Sequence, residues 1–290
     1  MLALLTAPWP SLALTTHAVD LGRGSSLNLQ IPVPEADQLD AAAQIMGITS
    51  EEVGDQLSLL RGFSADPNAL PTSAKMSAVV WPASQSLASL LTHCPSFVKD
   101  CRVLEVGCGL GTPPRLQLPA PSSPHHGQVA FHHLGTVGIA AAMAGATSVL
   151  LTDLDEGVLA AVGASADLNG VGSLVHTAQL DVTQYDLGQG ALSEHGPFDL
   201  IIGSDVLFSA SLTPLFAKFL AELLRSAQSQ GGGELEARVM LADPLSRGNR
   251  ALLEAAGAAQ GLAYGEMPLP QILPGLEDCV LVNMVLADEI

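Results

Sequence analysis

Several carboxylates and hydroxyls of this chain stand where an apolar run stops, and the first of them is followed by glycines at alternate positions. Val103-Leu104-Glu105-Val106-Gly107-Cys108-Gly109-Leu110-Gly111 reads as a strand that passes through Glu105 into a sharp turn. Glycine permits the turn and lets a ligand lie against the main chain. Asp153 follows the run 148–152, placed to accept hydrogen bonds from ribose hydroxyls. Asp181 follows 174–180, where a carboxylate can take an adenine amino hydrogen. Ser204-Asp205-Val206-Leu207-Phe208 follows 198–203 and stands at the lip of a pocket. Any one acidic residue at a strand end is ordinary. Their recurrence after successive strands points to a single nucleotide-like ligand, because open α/β sheets bind ligands at those loops.

The elements that must position these groups alternate in type. Strands are expected at 102–106, 148–152, 174–180, 198–203, 238–242 and 280–286, with helices at 156–168, 213–227 and 247–259 between them. Leu215, Phe216, Phe219, Leu220, Leu223 and Leu224 give the 213–227 helix its apolar face. Strands separated by helices predict an α/β fold with a doubly wound, mostly parallel sheet. Val79–Ser84 leads into a further helix with Leu87, Leu90 and Leu91 on one side. Ahead of it, residues 1–35 read as an irregular lead and short strands. Helices are expected at 37–46 and after the capping box Thr49-Ser50-Glu51-Glu52. Residues 1–70 are thus a small accessory segment, and 71–290 the main domain.

Composition narrows the partners. The 290-residue chain is 48% hydrophobic and 14% charged, which suits a globular core. A formal net charge of −18 opposes nucleic acid or an anionic membrane as the main partner, since both need basic contacts, whereas a basic protein or peptide is compatible. Cys94, Cys101, Cys108 and Cys279 do not form a disulfide framework; they read as reduced packing residues, and no metal site is expected. The apolar start, Met1–Pro10, lacks a basic region and is broken by two prolines, so a signal peptide is not expected. A cytoplasmic location follows, with the nucleus as the alternative, and a monomer is expected.

A dinucleotide dehydrogenase needs G-x-G-x-x-G, but Gly107, Gly109 and Gly111 give G-x-G-x-G. A carboxylate just before the turn also suits a different ligand: it can hold the glycine loop and face the positive amino-acid end of S-adenosylmethionine.

Taken together, Val80-Trp81-Pro82-Ala83, the 103–111 turn, Leu151-Thr152-Asp153, Leu168-Asn169-Gly170, Leu180-Asp181 and Ser204-Asp205-Val206-Leu207-Phe208 resemble one family over residues 75–290. It is the seven-β-strand, S-adenosylmethionine-dependent methyltransferases of family 16, which include many protein-lysine N-methyltransferases. The resemblance implies a seven-stranded, Rossmann-like class I sheet, S-adenosyl-L-methionine as cofactor and a lysine-bearing protein as acceptor. It places Trp81, Glu105, Gly107, Cys108, Gly109, Gly111, Asp153, Asp181, Val182 and Ser204 around the cofactor. Val182 stands where the family often has an adenine-stacking tryptophan. The family's D-x-x-Y appears as Asp205-Val206-Leu207-Phe208, keeping the ring without its hydroxyl; Asp205 and Phe208 take the catalytic positions. There Asp205 would position the incoming amine, and Val206, Leu207 and Phe208 would desolvate it. A helix-capping role before Thr213 is the other reading of Asp205, and the Asp243-Pro244 turn reads as structural. His176 and His195 read as ordinary strand and loop histidines.

Two other classes fit the same residues: a methyltransferase for a small molecule or another protein site, and a non-catalytic, methyltransferase-like interaction protein. No Asn/Asp-Pro-Pro-Tyr/Phe segment follows the fourth strand, which opposes amide or adenine-type methylation. The interaction reading draws on residues 112–135, which hold five prolines and His125, His126, His132 and His133, and which separate the turn from the helix that should follow it. Leu110-Gly111-Thr112 recurs as Leu134-Gly135-Thr136, so 112–135 reads as an insertion. The third glycine of the turn is then either Gly111 or Gly135.

Overall fold

Alternating apolar and helical segments assemble into one mixed sheet preceded by a hairpin in a computed structural model of the chain, which describes residues 13–22, 25–33, 82–108, 135–154, 156–230, 236–269 and 278–287. Strands β1 (Ala13–Gly22) and β2 (Ser25–Val33) form the antiparallel hairpin. Then come α1 (Pro82–His93), β3 (Arg102–Val106), α2 (Thr136–Met143), β4 (Ser148–Asp153), α3 (Glu156–Leu168) and β5 (Val175–Gln179). The second half runs α4 (Gly190–His195), β6 (Leu200–Ser204), α5 (Thr213–Ser229), β7 (Arg238–Pro244), α6 (Arg250–Ala259), β8 (Leu262–Leu269) and β9 (Cys279–Leu286).

The sheet has seven strands in the order β5-β4-β3-β6-β7-β9-β8. Pairing is parallel from β5 to β7, and β9 inserts antiparallel between β7 and β8. The chain winds outward from β3 to β5, then returns to the other side of β3 with β6. That reversal opens a crevice beyond the carboxyl ends of β3 and β6, the place where such sheets take ligands.

Alternate residues of the central strands feed two separate cores. Val103, Val149 and Leu151 pack with Leu87 and Leu91 of α1, Ile139 of α2 and Val162 of α3. Leu104, Leu150, Ile201 and Val239 pack with Phe216, Phe219, Leu220 and Leu224 of α5. Burial on both faces accounts for the almost unbroken apolar sequence of β6. Full burial of one such side chain stabilises the fold by roughly 1.5–3 kcal/mol.

Strands at 102–106 and the helix at 156–168 form with the expected bounds; other elements differ in instructive ways. Within the expected irregular lead, residues 13–22 form a ten-residue strand, β1, and residues 1–12 lie outside the described residues. The expected 247–259 helix starts at Arg250, after Asn249. The third strand is Val175–Gln179, one residue shorter at each end than expected. Leu215, assigned to the apolar face of α5, is exposed, because the buried stripe runs through Phe216, Phe219, Leu220, Leu223 and Leu224. His195 lies in α4, not in a loop, and its ring stacks on His176 with centroids 4.3 Å apart. The four cysteines are free, with three buried, as packing residues should be. The helices expected at 37–46 and after Thr49, together with Trp81, Gly109, Gly111 and the His-bearing residues 112–134, lie outside the described residues.

A side-chain clasp ties the hairpin to the main domain. Asn169, just past α3, accepts the Asn28 N–H through Oδ1 at 2.9 Å. Its Nδ2 donates to the Asn28 carbonyl and, at 2.7 Å, to the Ser165 carbonyl. Leu27 beside it is fully buried.

Candidate active site

Glu105 is the third of the four buried residues that end β3 and points to the face covered by α2. It is fully buried. Oε2 accepts the Gly138 N–H at 2.8 Å, while Oε1 is buried without a partner. Burial, opposed by that N–H and reinforced by the nearby Asp153 carboxylate, pushes the Glu105 pKa up to about 8. A carboxylate with an unmet acceptor, beside a second carboxylate, is a site for a cation or a proton donor and repels phosphate.

The backbone around it is drawn in tightly. Gly107 has φ +70°, and a Cβ there would lie 3.2 Å from Val206 Cγ1. Cys108 N–H donates to the Thr152 carbonyl at 2.9 Å, and the Thr152 hydroxyl donates to the Glu105 carbonyl at 2.8 Å. Burial, with Glu105 and Asp153 adding to it, holds the Cys108 thiol well above the usual thiol range, so Cys108 is an inert wall. Asp153 ends β4, is buried, and accepts Leu180 N–H on its carbonyl at 2.9 Å.

Asp181 sits beyond β5, half-buried, with Oδ1 accepting Thr183 N–H at 2.8 Å and the Thr183 hydroxyl at 2.6 Å. Val182 packs against the core that α5 covers. The same loop is anchored there by Tyr185, whose hydroxyl donates to Glu222 at 2.6 Å and whose ring meets Phe219 edge-on.

The other wall comes from β6 and β7. Ser204 and Ser84 are both buried and share a hydrogen bond of 2.8 Å, which ties the first turn of α1 to the end of β6. Asp205 follows with φ +56°, a left-handed conformation uncommon for a residue with a side chain, fixed by its N–H donating to the Ala242 carbonyl. Its side chain is 7% exposed and is paired with Arg247. Helix α5 starts without a side-chain cap, so the capping role for Asp205 does not hold. Arg247 Nε approaches Asp243 Oδ1 at 3.4 Å, and Arg250 Nη1 donates to Asp243 Oδ2 at 2.9 Å. Asp243 is fully buried, and desolvation outweighs both guanidiniums, leaving its carboxyl above the ordinary carboxylate range. The Asp243-Pro244 turn is structural in this sense: it anchors two arginines.

The expected apolar lip reduces to one ring. Leu207 is buried, and Val206 packs inward against Gly107 and Gly203; Phe208 is 40% exposed. Asn249 Nδ2 holds the Leu207 carbonyl at 2.7 Å, fixing the loop that presents Phe208. Glu105, Gly107, Cys108, Asp153, Ser204 and Asp205 therefore share the carboxyl-end crevice, while Val182 is turned toward the α5 core. Sequence reading did not single out Ser84, Gly138 or Arg247. Gly138 alone had a local signal, a glycine in the first turn of a helix after an acidic strand. Among the described residues there is no cluster fit for a metal ion, and no helix long and apolar enough to cross a membrane.

Comparisons with known proteins agree with this arrangement. A family model described as lysine methyltransferase matches residues 134–230, so the resemblance to that family holds. The electron transfer flavoprotein beta subunit lysine methyltransferase of Xenopus laevis is 28% identical over 167 residues, covering 58% of this chain and 51% of its own. The chain thus spans about half the length of that curated relative. Among solved structures, SMU.776, assigned as a methyltransferase and crystallised with SAH, covers 96% of this chain and 58% of its own at 12% identity and a TM-score of 0.53. The ribosomal protein L11 methylase of Lactobacillus delbrueckii subsp. bulgaricus covers 71% of this chain and 78% of its own at 20% identity and a TM-score of 0.43. The fold is that of the class I methyltransferases: a seven-stranded, mostly parallel, Rossmann-like sheet.

Proposed function

We propose that the chain is an S-adenosyl-L-methionine-dependent N-methyltransferase whose acceptor is a lysine side chain of a protein. The observation that carries the cofactor is Glu105: a fully buried carboxylate with one oxygen unmet, beside Asp153, at the switch point of the sheet. A ligand with a cationic amino-acid end matches Glu105, and its ribose hydroxyls lie within the chemistry of Asp153; a dinucleotide pyrophosphate does not match Glu105. The lysine acceptor is supported by the family match and by the relative, which is named for a lysine of a protein. A net charge of −18 favours approach of a basic acceptor surface.

When bound, the cofactor supplies an activated methyl group; the chain's own work is to bind, align and desolvate. Glu105 and Asp153 would hold the two polar ends, and Gly107 lets the backbone come close enough. A lysine amine must lose a proton, against a free pKa of about 10.4, before it can act as a nucleophile. Phe208 at the rim covers the amine and disfavours its charged form. Asp205 cannot offer a free negative charge, because Arg247 already pairs with it; its part is to fix the position of a group, not to draw it in. Four free thiols fit a reducing compartment such as the cytoplasm or nucleus.

Calorimetry with S-adenosylhomocysteine tests the cofactor: saturable heat is expected, and its absence would leave a methyltransferase-like interaction protein. Labelling a lysate with tritiated S-adenosylmethionine, followed by mapping of modified residues, tests the acceptor. Label on protein lysines is expected; label confined to small molecules or to other side chains would overturn it.

A further inference from the structure

We propose that Gly135, and not Gly111, is the third glycine of the cofactor turn, and that residues 111–134 are an insertion which the turn itself does not need. The proposal rests on the cofactor reading of the crevice for its binding half; its structural half stands apart.

Hydrogen bonding passes directly from Cys108 to Gly135. The Cys108 carbonyl accepts the Gly135 N–H at 2.7 Å, while its N–H is held by Thr152. The Gly135 carbonyl then accepts Ile139 N–H at 2.9 Å, the opening bond of α2. So the end of β3 and the start of the helix are joined across one hydrogen bond, however much sequence lies between them.

Gly135 must also be glycine. Its φ is +68°, and a Cβ would fall 2.7 Å from Val162 Cγ1 and 3.0 Å from Leu151 Cδ1, both wholly buried side chains. Three residues on, a Cβ on Gly138 would lie 2.0 Å from Leu151 Cδ2 and 2.7 Å from Glu105 Oε2. These glycines bring the helix start down onto Glu105, whose Oε1 remains buried and unmatched beneath it. The unmet acceptor is thus located by Gly135 and Gly138.

The sequence carries the same mark. Leu-Gly-Thr occurs at 110–112 and again at 134–136, and the lysine methyltransferase match begins at residue 134. Removing 111–134 or 112–135 yields the same polypeptide, with Gly109-Leu110-Gly-Thr136 restored.

Three variants of the full chain decide it: Gly135→Ala, Gly111→Ala and a deletion of 111–134, each melted and titrated calorimetrically with S-adenosylhomocysteine. Gly135→Ala should lower Tm by about 3 °C or more and weaken binding roughly tenfold or beyond. Gly111→Ala should match the parent in both. The deletion should melt cooperatively and bind at least as tightly as the parent, and binding by the deletion alone would support the proposal most directly. Loss of affinity in Gly111→Ala with Gly135→Ala unaffected would overturn it. So would a deletion variant that melts cooperatively yet binds tenfold more weakly. If Gly135→Ala does not fold, the deletion carries the test. If no protein gives heat, the cofactor reading fails, and the contrast in Tm between the two alanine variants still identifies the glycine of the turn.

Discussion

The two walls of the crevice handle buried charge in opposite ways. On the β3–β4 side, Glu105 and Asp153 lie together, no cation stands beside Glu105 among the described residues, one of its oxygens has no partner there, and burial raises its pKa. On the β6–β7 side, Asp205, Arg247, Asp243 and Arg250 alternate in sign and balance one another's charge, with Glu266 beyond Arg250 at 3.4 Å, although Asp243 Oδ1, Arg247 Nε and Arg250 Nε are buried without a hydrogen bond. A buried polar group left unmatched costs free energy unless something else arrives to match it. The walls therefore differ in countercharge: among the described residues Glu105 has none, whereas the second wall carries its own. A cationic group complements the first wall; the second holds the loop that presents Phe208, through Asn249 on the Leu207 carbonyl.

The largest effect expected of a substitution is on the β3–β4 side. Gly138→Ala forces a methyl group into Leu151 and Glu105 and should destabilise the chain by about 3 kcal/mol in urea unfolding, with loss of S-adenosylhomocysteine binding. A variant of parental stability would mean that the helix does not sit so close to Glu105.

On the ion-paired side, Arg247→Ala removes the guanidinium that pairs with Asp205. Because Arg247 is 22% exposed, the cost should be about 2 kcal/mol, less than for a fully buried pair. Adding Asp205→Asn should recover more than half of that loss, and purely additive changes would show the pair to be uncoupled.

Glu105→Gln separates the two walls by pH. The Glu105 pKa is raised from 4.5 to about 8 in the fold. Its contribution is fully present below pH 4.5 and is lost as pH rises toward 8, because the folded state holds the proton that the unfolded state has released. Thermal melts of the ligand-free parent should therefore lose up to about 5 kcal/mol across that window, and the glutamine variant should lose less, with Asp243 supplying the remainder. Equal slopes in the two proteins would place the titration elsewhere. Smallest of all, Ser204→Ala removes the bond to Ser84 that joins the walls and should cost about 1 kcal/mol, read from the same melts. No change would mean that water replaces the hydroxyl at no cost.

Much of the first wall was legible in the sequence, because its logic is local. Val103-Leu104-Glu105-Val106-Gly107 carries strand, carboxylate and turn within a few residues, and the β3 bounds follow from it. The second wall was not. Arg247 and Asp205 meet only because β6 and β7 pair in parallel, bringing their following loops side by side, and no spacing rule reaches across a helix and a strand. Strand β8 was missed for a different reason. It is a sheet edge with Met267 half exposed and with Gly265 and Pro268 in its run, so it offers neither alternation nor an apolar block. Helix α4 is six residues long and buries only Leu192, too little for a periodic signal. Val182 shows a further limit: its place next to Asp181 in sequence says nothing about which face of the loop it takes, and Tyr185 and Phe219 decide that.

Asn169 holds the hairpin in the manner of a neighbouring strand. One primary amide offers an acceptor to the N–H of residue 28 and a donor to its carbonyl, so what it reads is peptide backbone rather than a side chain. Such a clasp is blind to residue type on the hairpin and strict on the helix. Substitutions at position 28 can accumulate without releasing β2, while Asn169 admits almost none, since a change to aspartate removes the donor and alanine removes both. The attachment of the accessory strands at residue 28 is accordingly written in the α3 end of the main domain, while Leu27 beside it is bound to the core by its side chain.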